Sequence, residues 1–142
     1  MLRTVPELPD ITVYIERLSQ RFVGAPLEGV RLASPFLVRT AVPPLASLHG
    51  RAVRDFSRIG KRIVFHFDEE LYLVLHLMIA GRLRLRDKGA AVPKKLGLAA
   101  FDFPEATVLL TEASSKKRAS LHVVQGKEAL TAFEATKAKE PN

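Results

Sequence analysis

The sequence predicts a mainly β domain, a sandwich or barrel, with one α-helix attached near its N-terminus. Three observations carry this prediction. Apolar residues recur at helical spacing once, close to the start. From residue 27 onward the period drops to two. Proline, glycine and acidic residues then cut the chain into many short apolar segments. Numerous short strands with frequent turn signals pack as two sheets or close on themselves. A length of 142 residues suits one domain, and a hydrophobic content of 47% supplies a core.

The helix is placed at about residues 10–23. Asp10 reads as its N-cap, and Ile11, Tyr14, Ile15, Leu18 and Phe22 form one apolar stripe. Gly24 is its stop. Residues 27–33 and 36–40 read as short strands, Pro43-Pro44 as a break, and 45–48 as one helical turn. Strands follow at 51–59, 62–67 and 71–78, the last two joined in a hairpin around Asp68-Glu69-Glu70. Residues 81–86 continue the sheet, and the polar stretch 87–95 is a loop. A second hairpin pairs 99–103 with 107–111 across Pro104-Glu105, and 121–124 is the last strand. The domain is drawn as 1–126. Residues 127–142 form a partly helical tail that frays after about 136, because Leu130 and Phe133 are its few apolar anchors.

Charge points toward a polyanionic partner. Lys and Arg total 22 against 15 acids, a net charge of +7. Basic residues cluster at Arg51, Arg54, Arg58, Lys61 and Arg62, then at Arg82, Arg84, Arg86, Lys88, Lys94 and Lys95, then at Lys116, Lys117 and Arg118. Brought to one face, such clusters would track phosphates; left apart, they are ordinary solvated surface. Arg82, Arg84 and Arg86 alternate with Leu83 and Leu85, so on a strand the three arginines share a face. The absence of cysteine excludes disulfides and thiolate zinc sites within these residues and suits the cytoplasm. No apolar run reaches the roughly eighteen residues of a membrane span, and no membrane partner is expected.

Three short motifs could carry chemistry. The first is Pro6-Glu7. A proline with a free α-amine is a secondary amine, which can attack a sugar C1′ to give an iminium ion. A neighbouring carboxylate can move protons at the ring oxygen and the amine. The pair is equally the ordinary punctuation of a helix start. The second is Arg58-Ile59-Gly60-Lys61-Arg62, where Lys61 opens a strand and could reach a phosphate or a lesion. The third is Leu75-His76-Leu77-Met78-Ile79-Ala80-Gly81-Arg82, a histidine in an apolar run followed by an apolar tip. Four dispersed histidines offer no metal site.

Taken together, Pro6-Glu7-Leu8-Pro9-Asp10 before a helix, Arg-x-Gly-Lys some fifty residues on, and His76-Leu77 with Gly81, Leu83 and Arg84 after another strand resemble the formamidopyrimidine-DNA glycosylase and endonuclease VIII family. The resemblance is specific over Pro6–Arg86 and looser to about Gly126. It implies a two-sheet β-sandwich, the catalytic N-terminal domain of the family. It also implies base-excision repair: excision of oxidised bases from double-stranded DNA and strand cleavage by β,δ-elimination, with the lesion flipped out of the duplex. By the resemblance, the nucleophile is Pro6, the adjacent acid Glu7 and the hairpin lysine Lys61. Arg58, His76, Arg82, Lys116, Lys117 and Arg118 contact DNA, and Ile79 belongs to the wedge that fills the vacated gap.

The chain departs from the family pattern in four places. Pro6 is preceded by five residues, and its nitrogen is nucleophilic only as the chain terminus. Val5 stands immediately before it, and GUG, a valine codon, can start bacterial translation; initiation at position 5 and methionine removal would expose Pro6. Leu96-Gly97-Leu98 stands where relatives often carry His-Asp-His. Ser114-Ser115-Lys116-Lys117-Arg118-Ala119 replaces Asp-Pro-Arg-Arg-Phe-Gly, which keeps charge and loses the aromatic wedge. The family's helical domain and its zinc finger have no counterpart in these residues, so the expectation is no zinc in this chain and possible supply of that half by a separate one. A DNA glycosylase and abasic-site lyase is the leading expectation; a non-catalytic DNA-binding relic and an inactive gene fragment are the alternatives.

Overall fold

The computed structural model describes residues 8–114 and 116–138. Helix α1 spans Leu8–Phe22. Ile11, Leu18 and Phe22 are buried on one stripe, with Tyr14 and Ile15 packed partly against the same core. The helix begins two residues before Asp10, so Asp10 lies inside the first turn instead of capping it. Pro9 is tolerated there because first-turn N–H groups have no intrahelical acceptor. Gly24, at φ +90°, ends the helix as expected.

Nine strands follow: β1 Pro26–Leu27, β2 Gly29–Leu32, β3 Arg51–Ile59, β4 Arg62–Phe67, β5 Leu71–His76, β6 Gly81–Asp87, β7 Gly97–Asp102, β8 Ala106–Glu112 and β9 Ser120–Gln125. They form two antiparallel sheets, β1-β3-β4-β5-β9 and β2-β7-β8-β6. The inner faces share one core. Phe65 of the first sheet lies 4.9 Å from Phe56 and 5.8 Å from Phe101 of the second, measured between ring centroids. Helix α1 is fastened to the same core where Phe22 stacks on Phe103 at 4.1 Å. Each fully buried Phe or Leu contributes about 1.5–3 kcal/mol of burial free energy.

β4 and β5 lack period-two alternation because the first sheet is covered on both faces. On its outer face Ile59, Val64, Tyr72, Val74 and Val124 pack against Leu130 and Phe133 of helix α2, Lys127–Ala138. The segment expected to be a partly helical tail is thus a continuous helix to Ala138, held by the two anchors the sequence offered. The loop 88–96 folds over the outer face of the second sheet. Arg31 donates to both Asp102 carboxylate oxygens at 2.8 and 2.9 Å and to the Ala90 carbonyl at 2.7 Å. Thr107 donates to Asp102 at 2.6 Å and accepts from the Gly89 N–H at 2.8 Å. The Arg31 guanidinium and the Thr107 hydroxyl hold the Asp102 carboxyl below its ordinary pKa.

Three strand expectations are corrected. Residues 27–33 split at Glu28 into β1 and β2, which enter different sheets. Residues 36–40 are not a strand. They cap the outer edge of β9: Val38 makes one parallel bridge to Leu121, and the Thr40 hydroxyl accepts from the Val123 N–H at 2.9 Å. Pro35 and the Pro43-Pro44 pair keep this segment too short to add a ladder. The strand expected at 71–78 stops at His76, since Met78 takes a left-handed conformation at φ +59°.

Candidate nucleic-acid interface

Strand register gathers three turns at one end of the sandwich. Arg62, His76 and Ser120 lie side by side across β4, β5 and β9. Gly81 pairs with Glu112 at the matching end of β6 and β8. The β3–β4 turn, the β5–β6 turn and the β8–β9 loop therefore project together. α1 is anchored at the opposite end, where Gly24 N–H donates to the Val53 carbonyl at 2.7 Å and Val53 pairs with Phe67. Its 15 residues extend about 22 Å, the length of a seven-residue strand. Pro6 and Glu7 lie outside the described residues.

The first turn is a two-residue hairpin. Ile59 pairs with Arg62, and Gly60 supplies the positive φ, +59°, that such a turn requires. Lys61 at its tip and Arg58 just before it are exposed, and neither makes an ion pair or side-chain hydrogen bond among the described residues. His76 and Arg62 behind them are buried, and neither is free of partners.

The second turn builds an apolar tip. Gly81 N–H closes back on the Leu77 carbonyl at 3.0 Å. A Cβ on Gly81 would sit 2.2 Å from that carbonyl oxygen, so only glycine fits. The left-handed Met78 costs about 1–3 kcal/mol. The turn is braced by Arg82, whose guanidinium donates to the Ile79 carbonyl at 3.1 Å and the Gly81 carbonyl at 2.8 Å. Ile79 is left 71% exposed at the tip. Arg82 is thereby engaged with its own turn.

The third segment is organised by Glu112, a buried acid that sequence reasoning passed over. One carboxylate oxygen accepts from the Arg118 N–H at 2.9 Å and the Ala119 N–H at 3.1 Å. Its carbonyl accepts from the Lys117 ammonium at 2.7 Å, and Lys117 also donates to the Ser114 carbonyl at 2.6 Å. The sequence signal was an acid ending an otherwise apolar strand, directly before a run of small and basic residues. Lys117 is consumed inside the loop, whereas the Lys116 and Arg118 side chains are exposed and unpaired. Between this loop and the apolar tip lies a cleft of about 440 Å³ lined by Met78, Ile79, Ala80, Glu112, Ser114, Lys116 and Arg118.

Of the ten residues the sequence singled out, the structure brings Arg58, Lys61, His76, Ile79, Arg82, Lys116, Lys117 and Arg118 to this end. The basic cluster at 51–62, by contrast, is divided by its own strand. Arg51 and Arg54 sit at the far end, paired with Glu69 and Asp68. Among the described residues no group of three His, Cys, Asp or Glu side chains is placed to hold a metal. No described helix is long and apolar enough to cross a membrane.

The family model of the formamidopyrimidine-DNA glycosylase N-terminal domain matches residues 5–129. A formamidopyrimidine-DNA glycosylase of Mycoplasma genitalium is 30% identical over 107 residues, which are 74% of this chain and 38% of that protein. One from Geobacter metallireducens is 36% identical over 107 residues, 74% of this chain and 39% of the relative. The crystal structure of the Lactococcus lactis enzyme bound non-covalently to DNA containing an abasic site superposes with a TM-score of 0.81 at 23% identity, covering 92% of this chain and 50% of that one. The chain thus spans between a third and two-fifths of these two curated relatives.

Proposed function

The chain belongs to the formamidopyrimidine-DNA glycosylase family, and from that premise we propose that it is the catalytic half of a base-excision DNA glycosylase and abasic-site lyase acting on oxidised bases in duplex DNA. The observation that carries this reading is the convergence at one end of the unpaired Lys61, the exposed Ile79 tip and the loop bearing Lys116 and Arg118. Cations spaced around an apolar tip suit a duplex with one nucleotide displaced: the cations hold phosphates and the tip fills the gap.

In the proposed chemistry Pro6 is the mature N-terminus. Its secondary amine attacks C1′ of the damaged nucleotide, and the base leaves with a proton. Glu7 delivers a proton to the sugar ring oxygen as the ring opens, leaving an iminium ion. The iminium draws electrons from C2′, so a proton is lost there and the 3′ phosphate departs; a second elimination releases the 5′ phosphate. Lys61 holds a phosphate beside the reacting sugar. A separate chain supplying the rest of the DNA clamp is part of the proposal, because the described turns offer few phosphate contacts on their own.

Borohydride trapping tests the reading. Protein beginning at Pro6 is expected to form a covalent adduct with an abasic-site oligonucleotide, and the full 142-residue chain is expected to form none. Failure of the Pro6-start protein to be trapped overturns the enzyme reading. Salt-dependent duplex binding without trapping would favour the non-catalytic DNA-binding module, which the unpaired cations alone support.

A further inference from the structure

A second surface, away from the three turns, lies between α1 and β6. Val13, Tyr14, Arg17, Arg21 and the β6 residues Leu83, Arg84 and Leu85 line a cleft of about 240 Å³. Its walls are apolar: Val13 and Leu85 line it while 42% and 44% exposed. Its rim is cationic. Arg17 and Arg21 stand one helical turn apart, and Arg84 faces them from the strand. Among the described residues none of these three guanidiniums makes an ion pair or hydrogen bond, unlike Arg31, Arg51 and Arg54, which are each satisfied by an acid.

Two further features restrict the occupant. Leu83, Arg84 and Leu85 are consecutive, and consecutive strand side chains alternate faces. A cleft that meets all three reaches the strand's edge, and Val108 of β8 in its lining carries its apolar floor onto the inner face of the sheet. β6 is an outer strand of its sheet, so that edge carries no ladder. The volume falls below the roughly 300–1,000 Å³ of pockets that enclose a small molecule; it suits one or two anchoring side chains. An apolar floor is wasted on a phosphate backbone, whereas an unladdered edge suits an extended peptide.

We propose that the α1–β6 cleft is a docking site for a short acidic peptide segment of a partner protein, lying extended along β6 with an aromatic or aliphatic side chain in the cleft and carboxylates on Arg17, Arg21 and Arg84. This site is independent of the glycosylase reading, since it uses none of the residues assigned to DNA.

The test uses fluorescence anisotropy with the full chain and a fluorescein-labelled hexapeptide, Glu-Asp-Phe-Leu-Asp-Glu. The comparison peptide carries glycine in place of Phe and Leu. Saturable binding is expected, at least about fivefold weaker for the glycine peptide. Leu85→Ser and Arg84→Glu should each weaken the first peptide by about fivefold or more, a difference of about 1 kcal/mol. Arg86→Glu, the same charge change two residues along β6 and outside the cleft, should leave it within about twofold. Each variant is first matched to the parent by circular dichroism; the substituted side chains are exposed, and the charge and apolar variants fail independently. Equal affinity for the two peptides, or equal loss with Arg86→Glu, would show attraction to net charge alone and overturn the proposal. Competition by a single-stranded oligonucleotide that is itself weakened by Arg84→Glu more than the peptide is would overturn it in favour of a nucleic-acid surface.

Discussion

The two ends of the sandwich both carry arginines and use their cations differently. At the end bearing the Asp68–Glu70 turn, Arg51 and Arg54 face Glu69 and Asp68 across a hairpin. At the other end, Arg58, Lys61, Lys116 and Arg118 pair with no acid among the described residues, and Glu112 beside them is buried and spent on backbone N–H groups. Net charge therefore does not locate a phosphate-binding surface; unpaired charge does. The two ends are also held differently: the far turn by Gln125 and the Gly126 and Lys127 N–H groups, the near turns by a buried carboxylate, a glycine no other residue can replace, and an arginine brace.

The largest effect should follow from removing the carboxylate. Glu112→Ala leaves the Arg118 and Ala119 N–H groups without their acceptor and is expected to cost about 2–6 kcal/mol in urea unfolding, at roughly 1–3 kcal/mol for each of the two unsatisfied donors. It should also release Lys117. A loss below about 0.5 kcal/mol would mean that the loop is not held as described. Gly81→Ala comes next. The added methyl meets the Leu77 carbonyl, and overpacking of this kind costs about 1–3 kcal/mol; thermal melting would register it, and an unchanged midpoint would argue against the tight turn. Arg54→Ala at the far end should change stability by less than about 0.5 kcal/mol, because exposed ion pairs contribute little.

A pH effect separates the clamp on the second sheet from both ends. Asp102 has a folded-state pKa below its unfolded value, so its contribution is complete above the unfolded pKa near 4. It is lost as pH falls through the lower folded value. Stability should therefore decline in acid below about pH 4, and Asp102→Asn should flatten that part of the profile. His66 is shifted down by burial, which adds a separate decline beginning below about pH 6.5, where the unfolded histidine takes up a proton.

Much of the fold was legible because local chemistry and tertiary structure agree. Gly24, Gly60, the Asp68–Glu70 turn and Pro104-Glu105 mark real boundaries, and strands 51–59 and 62–67 carry the residues expected of them. The segment 36–40 misled because its alternation resembles a strand, while its neighbouring prolines confine it to capping an edge. Asp10 misled because an acid before an apolar stripe looks like a cap, yet the helix had already begun. At the candidate site, Lys61 and Ile79 were visible from their motifs. Nothing local separates Lys117, bound into its loop, from Lys116 and Arg118, which face outward. Nor could the sequence show that Arg51 and Arg54 are neutralised, since their acids lie on the other arm of a hairpin. Pro6 and Glu7 remain matters of motif and chemistry, outside the described residues.

Under the proposed function, the end carrying Lys61, Ile79, Lys116 and Arg118 meets DNA and the other end does not. The salt dependence of binding to an abasic-site duplex tests it most directly. Each phosphate contact contributes about 0.9 to the slope of log K against log salt. Lys61→Ala and Arg118→Ala should each flatten the slope by about one, while Arg54→Ala should leave it unchanged. Equal flattening by Arg54→Ala and Lys61→Ala would mean that binding follows total charge and not the turns.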